Sequence, residues 1–238
     1  MYREKSVLAV IPARGGSKGL PGKNIKILAD KPMITWSIEA AKQSEYVDRV
    51  IVSTEDEEIS QVSLEYGAEI PFLRPKKLAL DDTPSSDAIL YTIERLQRDE
   101  NVKYDIILLL QPTSPLRTCR HIDEAIKGFI DKWDMFDSAI SVSELEHPVY
   151  WNRIVGENKE LKNYLEYDKN QQTRRQNFDK LYRLNGAVYL AKTEIFAANK
   201  SFECEKSMAY VMDKQSSVDV DDIEDFKLAE YYIRTMIG

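Results

Sequence analysis

The sequence predicts an α/β fold with a doubly wound, mostly parallel sheet, and three observations carry that expectation. Short, fully apolar runs at residues 7–11 and 106–110 read as strands buried on both faces. Such runs alternate with segments of helical apolar spacing, which is the βαβ rhythm of a parallel sheet. Glycine- and cation-rich stretches fall just beyond strand ends, where sheets of this kind bind ligands.

Taken in order, residues 7–11 form the first strand, and Pro32 stands like the first residue of a helix that runs to Ala41. Residues 49–53 are a second strand. Thr54-Glu-Asp-Glu57 fits a capping box opening a helix that ends near Gly67. Residues 68–73 read as a third, short strand. Thr83 and Pro84 fit an N-cap and first helical position, opening a helix that runs to about Arg98. Strands follow at 105–110 and 137–143, with a helix over 119–133 between them. The rhythm then stops. Residues 144–184 are polar, aromatic and charged, too long for a plain loop in a compact domain, and read as an inserted, hairpin-like arm. Its aromatic residues would cover another surface, or else pack on their own subunit. Strands at 186–191 and 209–212 and a helix over 223–236 complete a single domain spanning 1–238.

Composition excludes several classes. A hydrophobic content of 43% argues against disorder, and the apolar runs are too short to cross a membrane. The net charge of −7 disfavours a general nucleic-acid binder. Cys119 and Cys204 lie far apart and suggest no disulfide framework, and the opening residues show no signal-peptide pattern, so a cytoplasmic setting is expected. His121 and His147 are the only histidines and read as surface or capping residues, which leaves little support for a zinc site or a Ser–His–Asp triad.

The chemistry concentrates in residues 12–24. Glycines 15, 16, 19 and 22 let backbone N–H groups turn inward, and Arg14, Lys18 and Lys23 add positive charge, a cradle for a polyanion such as a triphosphate. It is neither of two familiar phosphate loops. Ser17 stands where Walker A needs its first glycine, Asn24 follows the lysine, and no glycines have the Gly-x-Gly-x-x-Gly spacing. Gln111-Pro-Thr-Ser-Pro-Leu-Arg117 follows another strand, its prolines stiffening a loop that can hold the Gln111, Thr113 and Ser114 side chains. Ser85 and Ser86 sit in a first helical turn with exposed N–H groups. Asp219 and Asp221, read as two apart in a strand, would face one way and suit Mg²⁺; alternatively the acidic run serves the dipole of the following helix. Arg175 and Arg183 could grip a carboxylate bidentately.

The stretch Ala13-Arg-Gly-Gly-Ser-Lys-Gly-Leu-Pro-Gly-Lys-Asn24 resembles the signature of the acylneuraminate cytidylyltransferases, or CMP-sialic acid synthetases. The resemblance continues in order through Arg74-Pro75, Thr83-Pro-Ser-Ser86, Gln111-Pro-Thr-Ser-Pro, Arg183-Leu-Asn-Gly186 and Asp219-Val-Asp221. It implies transfer of CMP from CTP to the anomeric hydroxyl of a nonulosonic (sialic-type) acid, with pyrophosphate released. By the same resemblance Arg14, Gly15, Gly16, Ser17, Lys18, Lys23 and Asn24 hold the triphosphate. Arg74, Ser85 and Ser86 read base and ribose. Gln111, Thr113, Arg175, Arg183, Asn185 and Tyr189 serve the sugar, and Asp219 and Asp221 hold Mg²⁺, with Asp222 able to substitute. It also implies a homodimer clasped by the arm. The alternatives are another keto-sugar acid, such as 3-deoxy-manno-octulosonic acid, and a non-catalytic nucleotide-binding module.

Overall fold

The structure, a computed structural model, describes residues 2–16, 19–166 and 179–237. In chain order its elements are β1 (Val7–Pro12), β2 (Ile27–Leu28), β3 (Lys31–Pro32), α1 (Met33–Lys42), β4 (Arg49–Ser53), α2 (Glu57–Glu65) and α3 (Ser85–Glu100). There follow β5 (Ile106–Leu109), α4 (Cys119–Ile130), β6 (Ser138–Glu144), β7 (Arg153–Val155), β8 (Leu161–Asn163), β9 (Tyr182–Lys192), α5 (Thr193–Asn199), β10 (Ser207–Met212) and α6 (Ile223–Ile237).

The main sheet has the order β10-β6-β9-β5-β1-β4. β1 pairs in parallel with β4 on one side (Ile11 opposite Val52) and with β5 on the other (Val10 opposite Leu109). β10 runs parallel to β6, whereas β9 is antiparallel to both β5 and β6. The expected mostly parallel, doubly wound sheet is therefore present, with β9 as its reversed strand. That reversal brings the first residues of β9 to the edge where β1, β4, β5 and β6 end.

The alternation along β1 shows why its sequence is apolar throughout. Val7, Ala9 and Ile11 pack with Ile34 and Ile38 of α1 and with Ile122, Ile126 and Phe129 of α4. Leu8 and Val10 face the opposite layer, with Ile89 and Leu96 of α3 and Phe196 of α5. A third cluster seats α6, through Phe226, Ala229 and Ile233, on Leu20, Leu28, Met33, Leu116 and Val220. This third cluster ties the glycine-rich loop to the C-terminal helix. No described helix is long and apolar enough to cross a membrane.

Several boundaries differ from expectation. Residues 68–73 do not form a strand; only Glu69 bridges to Ile51, because Pro71 removes a ladder donor immediately afterwards. The N-cap of α2 is Asp56, whose carboxylate accepts the amide of Ile59, while the Thr54 hydroxyl accepts the amide of Asp56. Helix α3 begins at Ser85 with Pro84 as its N-cap residue, and the Thr83 hydroxyl donates to the carbonyl of Lys77. β9 starts at Tyr182 and crosses a register shift near the glycine at 186, and α5 was not foreseen. His121 completes the Thr118 capping box of α4, the capping role expected of it. β7 and β8 form an antiparallel hairpin within the inserted segment.

At the opposite end of the sheet, Asp105 joins the start of β1 to the start of β5. Its carboxylate accepts the amide and hydroxyl of Ser6 at 2.9 and 2.8 Å, and the Ser6 oxygen accepts the Asp105 amide at 3.0 Å. Burial pushes the Asp105 carboxyl up, but the Ser6 hydrogen bonds and Lys5 outweigh it, so the net shift is downward. A depressed carboxyl pKa contributes stability that is complete above its unfolded value, about 4, and is lost as pH falls through the folded value. Asp105→Ala should therefore lower the urea-unfolding free energy by about 2 kcal/mol at pH 7, the scale of hydrogen bonds to a charged group. The gap between wild type and variant should close as the pH is taken well below 4.

Candidate active site

A cleft of about 580 Å³ opens at the carboxyl edge of the sheet, between the loops after β1 and β5 and the segment before α3. Arg14, Lys23, Asn24, Arg74, Ser85, Gln111, Thr113 and Asp221 all line it, so residues spread over most of the chain converge there. Ser86, Arg183, Asn185, Tyr189 and Asp219 are not among the residues that line it. Ser17, Lys18 and Arg175 lie outside the described residues.

The glycine-rich loop leaves β1 after Pro12 and is held from several directions. A carboxylate oxygen of Glu55, at the end of β4, accepts the Gly15 amide at 2.8 Å. Its other oxygen accepts Nε and Nη2 of Arg74 at 3.0 and 2.8 Å, and the Arg74 side chain is only 4% exposed. Arg74 thus braces the loop through Glu55, as well as facing the cleft. A Cβ at Gly15 would meet the Asp56 carboxylate, the cap of α2, and one at Gly19 would collide with the Asp221 backbone carbonyl, so the chain passes too closely at Gly19 for any other residue. Gly22 takes the left-handed conformation (φ 65°) ahead of the short 3₁₀ turn at Lys23–Ile25. The buried Asn24 amide donates to the Arg14 carbonyl at 2.9 Å and closes the loop on itself.

Its described cations are paired within the protein. Arg14 meets Asp81 at 2.7 Å. Lys23 donates to the Val220 carbonyl at 2.7 Å and lies 3.3 Å from Asp221. The loop is thereby coupled to the acidic segment before α6, a link of 198 residues in sequence.

That acidic segment lies outside the sheet. Val220 is fully buried, and its amide donates to the Thr113 carbonyl at 2.8 Å, so the flanking aspartates sit against the loop after β5. Asp221 is exposed in the cleft. Asp219 is largely buried, and its Oδ1 has no hydrogen-bond partner. Burial raises its carboxyl pKa, against a lowering hydrogen bond from Thr113. Asp222 is turned to another use: its carboxylate accepts the amides of Glu224 and Asp225 and caps α6. The helix-terminal reading of the acidic run therefore has its counterpart in Asp222.

Around β9, Gln111 meets Gly186 (φ 72°), where a Cβ would collide with the Gln111 amide oxygen. The Tyr189 hydroxyl accepts the Gly186 amide at 3.2 Å, and burial pushes its pKa up. Arg183 is exposed on β9 opposite Ser143. Asn185, 2% exposed, uses its amide internally: the oxygen accepts the Ser141 hydroxyl and the Ala187 amide, and the nitrogen donates to the Ser217 oxygen. Its geometry is that of a brace between β6, β9 and the turn leading to Asp219. Glu55, Asp81, Arg117 and Ser217 are members of this constellation that sequence reasoning missed. Their partners are remote in sequence: Glu55 read as part of a helix cap, and Arg117 closed the Gln111–Arg117 segment without a role of its own.

A family model described as cytidylyltransferase matches residues 8–236. The chain is 38% identical over 235 residues to the CMP-N,N'-diacetyllegionaminic acid synthase of Legionella pneumophila, covering 94% of both chains. It is 37% identical over 227 residues to the N-acylneuraminate cytidylyltransferase of Escherichia coli O18:K1:H7, covering 94% of this chain and 51% of that protein. The chain thus spans about half the length of the E. coli relative. Among solved structures, a CMP:2-keto-3-deoxy-manno-octonic acid synthetase complexed with CTP superposes with a TM-score of 0.71 at 19% identity, covering 97% of this chain and 99% of that one; this likeness concerns the fold.

Removing Glu55 would leave the buried Arg74 guanidinium without its carboxylate. Glu55→Ala should lower the unfolding free energy by about 3 kcal/mol, as for breaking a buried ion pair, measured by urea denaturation. It should also weaken nucleoside triphosphate binding by freeing the Gly15 amide. A variant as stable as wild type would show that the pair does not hold the loop.

Proposed function

Because the chain belongs to the cytidylyltransferase family, we infer that it transfers CMP from CTP to the anomeric hydroxyl of a nonulosonic acid and releases pyrophosphate. One observation carries the reading to these residues: the cleft at the carboxyl edge is lined by Arg14, Lys23 and Arg74 together with Asp221, which Lys23 ties to the glycine-rich loop. The acceptor class follows the relatives that act on acylneuraminic and diacetyllegionaminic acids and cover 94% of this chain.

In the reaction, the anomeric oxygen attacks the α-phosphorus, the bond from that phosphorus to the β-phosphate's bridging oxygen breaks, and pyrophosphate departs as the hydroxyl proton is released. Charge builds on phosphate oxygens, so positioning and neutralisation supply most of the acceleration. Arg14 and Lys23 would exchange their internal carboxylate partners for phosphate oxygens, and Lys18 would join them. The Gly16 amide, with Ser17 and Asn24, would complete the cradle, and Gly15 would set its shape, its own amide being held by Glu55. Ser85 and Ser86, at the exposed first turn of α3, and Arg74 would hold the nucleoside. Gln111, Thr113, Tyr189 and the cations Arg175 and Arg183 would face the acid sugar, with Asn185 bracing them from beneath.

The residues present suit Mg²⁺. Asp219 and Asp221 are hard oxygen donors, and the buried Oδ1 of Asp219 lacks a partner. No group of three or more metal-binding side chains occurs among the described residues, so phosphate oxygens and water would fill the remaining positions. When bound, the ion would neutralise phosphate charge as a Lewis acid.

The reading extends to a homodimer. Val155, Leu161, Tyr164 and Leu165 of the hairpin region are exposed, at 65%, 71%, 58% and 40%, as are Tyr182 and Leu184 at the start of β9. An apolar surface on a projecting hairpin suits burial against a second copy. A cytoplasmic setting fits Cys119 and Cys204, both free thiols.

Pyrophosphate release should require CTP, Mg²⁺ and one acid from a nonulosonic panel, with a CMP-sugar seen by mass spectrometry. Asp219→Ala should lower the rate by about 100-fold or more, since even outer-shell partners of bound metals matter on that scale. Turnover with 3-deoxy-manno-octulosonic acid alone would redirect the acceptor, and CTP binding without turnover on any acid would favour a nucleotide-binding module. By light scattering, the wild type should have twice the mass of one chain, and Val155→Asp with Leu161→Asp should reduce it to one.

A further inference from the structure

Arg117 closes the loop that begins at Gln111, and its setting is unusual. The residue is 2% exposed, and no carboxylate pairs with it among the described residues. Burial alone pulls its pKa down, to about 9. An uncompensated buried guanidinium is strongly unfavourable, so its retention calls for something that it holds in place.

What it holds is backbone on both sides of the acceptor end of the cleft. Nε donates to the Ala187 carbonyl at 2.8 Å. Nη2 donates to the Gln111 carbonyl at 3.0 Å and to the Ser37 hydroxyl at 2.8 Å. The Ser37 hydroxyl, on α1, in turn donates to the same Gln111 carbonyl at 3.2 Å. Nη1 has no hydrogen-bond partner. Ala187 follows Gly186, the left-handed residue against whose bare Cα the Gln111 side chain lies. The guanidinium thus ties the backbone of Gln111 to the strand that carries Gly186, Tyr189 and Arg183.

We propose that Arg117 is a positioning residue for the transfer reaction, fixing Gln111 in the cleft by clamping the carbonyls of Gln111 and Ala187 without touching substrate. The proposal rests on the CMP-transfer reading for the task of Gln111, but the clamp itself can be tested apart from turnover. Only a planar fork reaches both carbonyls at once; a lysine keeps the charge and loses the geometry.

The test uses the full chain and the Arg117→Lys, Ser37→Ala and Gly186→Ala variants. Hydrogen exchange at residues 111–117 should be faster in Arg117→Lys than in wild type, and faster to a smaller degree in Ser37→Ala, whose melting temperature should stay near that of wild type. With the acid that wild type turns over, Arg117→Lys should lose about 10- to 100-fold in kcat/KM for the acid, the scale of an ångström-sized misplacement. Its Kd for CTP should stay within about two-fold of wild type, the change being confined to the acceptor end. Gly186→Ala should show the same split, and the double variant little further loss, because both displace one side chain. Unchanged exchange in Arg117→Lys would overturn the proposal, as would equal losses in CTP binding and in acid turnover, the mark of general loosening. Should wild type turn over no acid, faster exchange in both Arg117→Lys and Ser37→Ala would uphold the clamp while the CMP-transfer reading fell.

Discussion

Everything functional in this chain depends on the burial of β1. The strand is flanked in parallel by β4 and β5 and covered on both faces, by α1 and α4 on one side and by α3 and α5 on the other. A strand so enclosed can carry no chemistry along its length, because any polar side chain there would be desolvated without a partner. Chemistry is therefore confined to where the strand ends, and the abrupt change from Val10-Ile11 to Arg14-Gly15-Gly16 marks that end. The antiparallel course of β9 obeys the same constraint, presenting the start of that strand at the shared edge.

The loop after β1 would have little definition by itself, since glycines leave the backbone many conformations. Its shape is imposed by partners on three other segments. Glu55 and Arg74 hold Gly15, and the backbone of Asp221 restricts Gly19. Leu20 is packed beneath α6, while Lys23 reaches the carbonyl of Val220. Opposite charges do much of this bracing, and buried placement makes it consequential. The Arg74–Glu55 pair is shielded from solvent, unlike the exposed pairs Arg120–Glu124 and Arg234–Glu230, which stabilise little. The cation-bearing loop is thus held in shape by carboxylates of the same chain.

Local signals were legible to the extent that local physics decides them. Residues 49–53 are a strand with those very bounds, and the apolar spacing of α4 and α6 told correctly that they are helices. Caps were less legible, because several polar residues compete for one role. Thr54, Glu55 and Asp56 each could serve α2; Asp56 caps it, since Glu55 is drawn away by Gly15 and Arg74. Residues 68–73 had the composition of a strand, yet Pro71 within the stretch left a single bridge at Glu69. Of the acidic run, the pattern could not assign its members, and the fold divided them: Asp222 to the helix cap and Asp221 to the cleft wall, with Asp219 less exposed than either.

By itself the sequence determined the sheet class, the apolar layers, the glycine-rich loop and the edge at which its polar loops gather, because these follow from short-range spacing and from burial of strands. Tertiary structure alone decided which polar residues touch one another. Asn185 becomes a brace joining Ser141 to Ser217, and Arg117, 70 residues from Ala187, a clamp joining it to Gln111. Nothing in the neighbourhood of either residue encodes those partners. A buried polar group must find hydrogen bonds wherever folding has brought them, and that depends on the packing of the whole chain rather than on any one stretch.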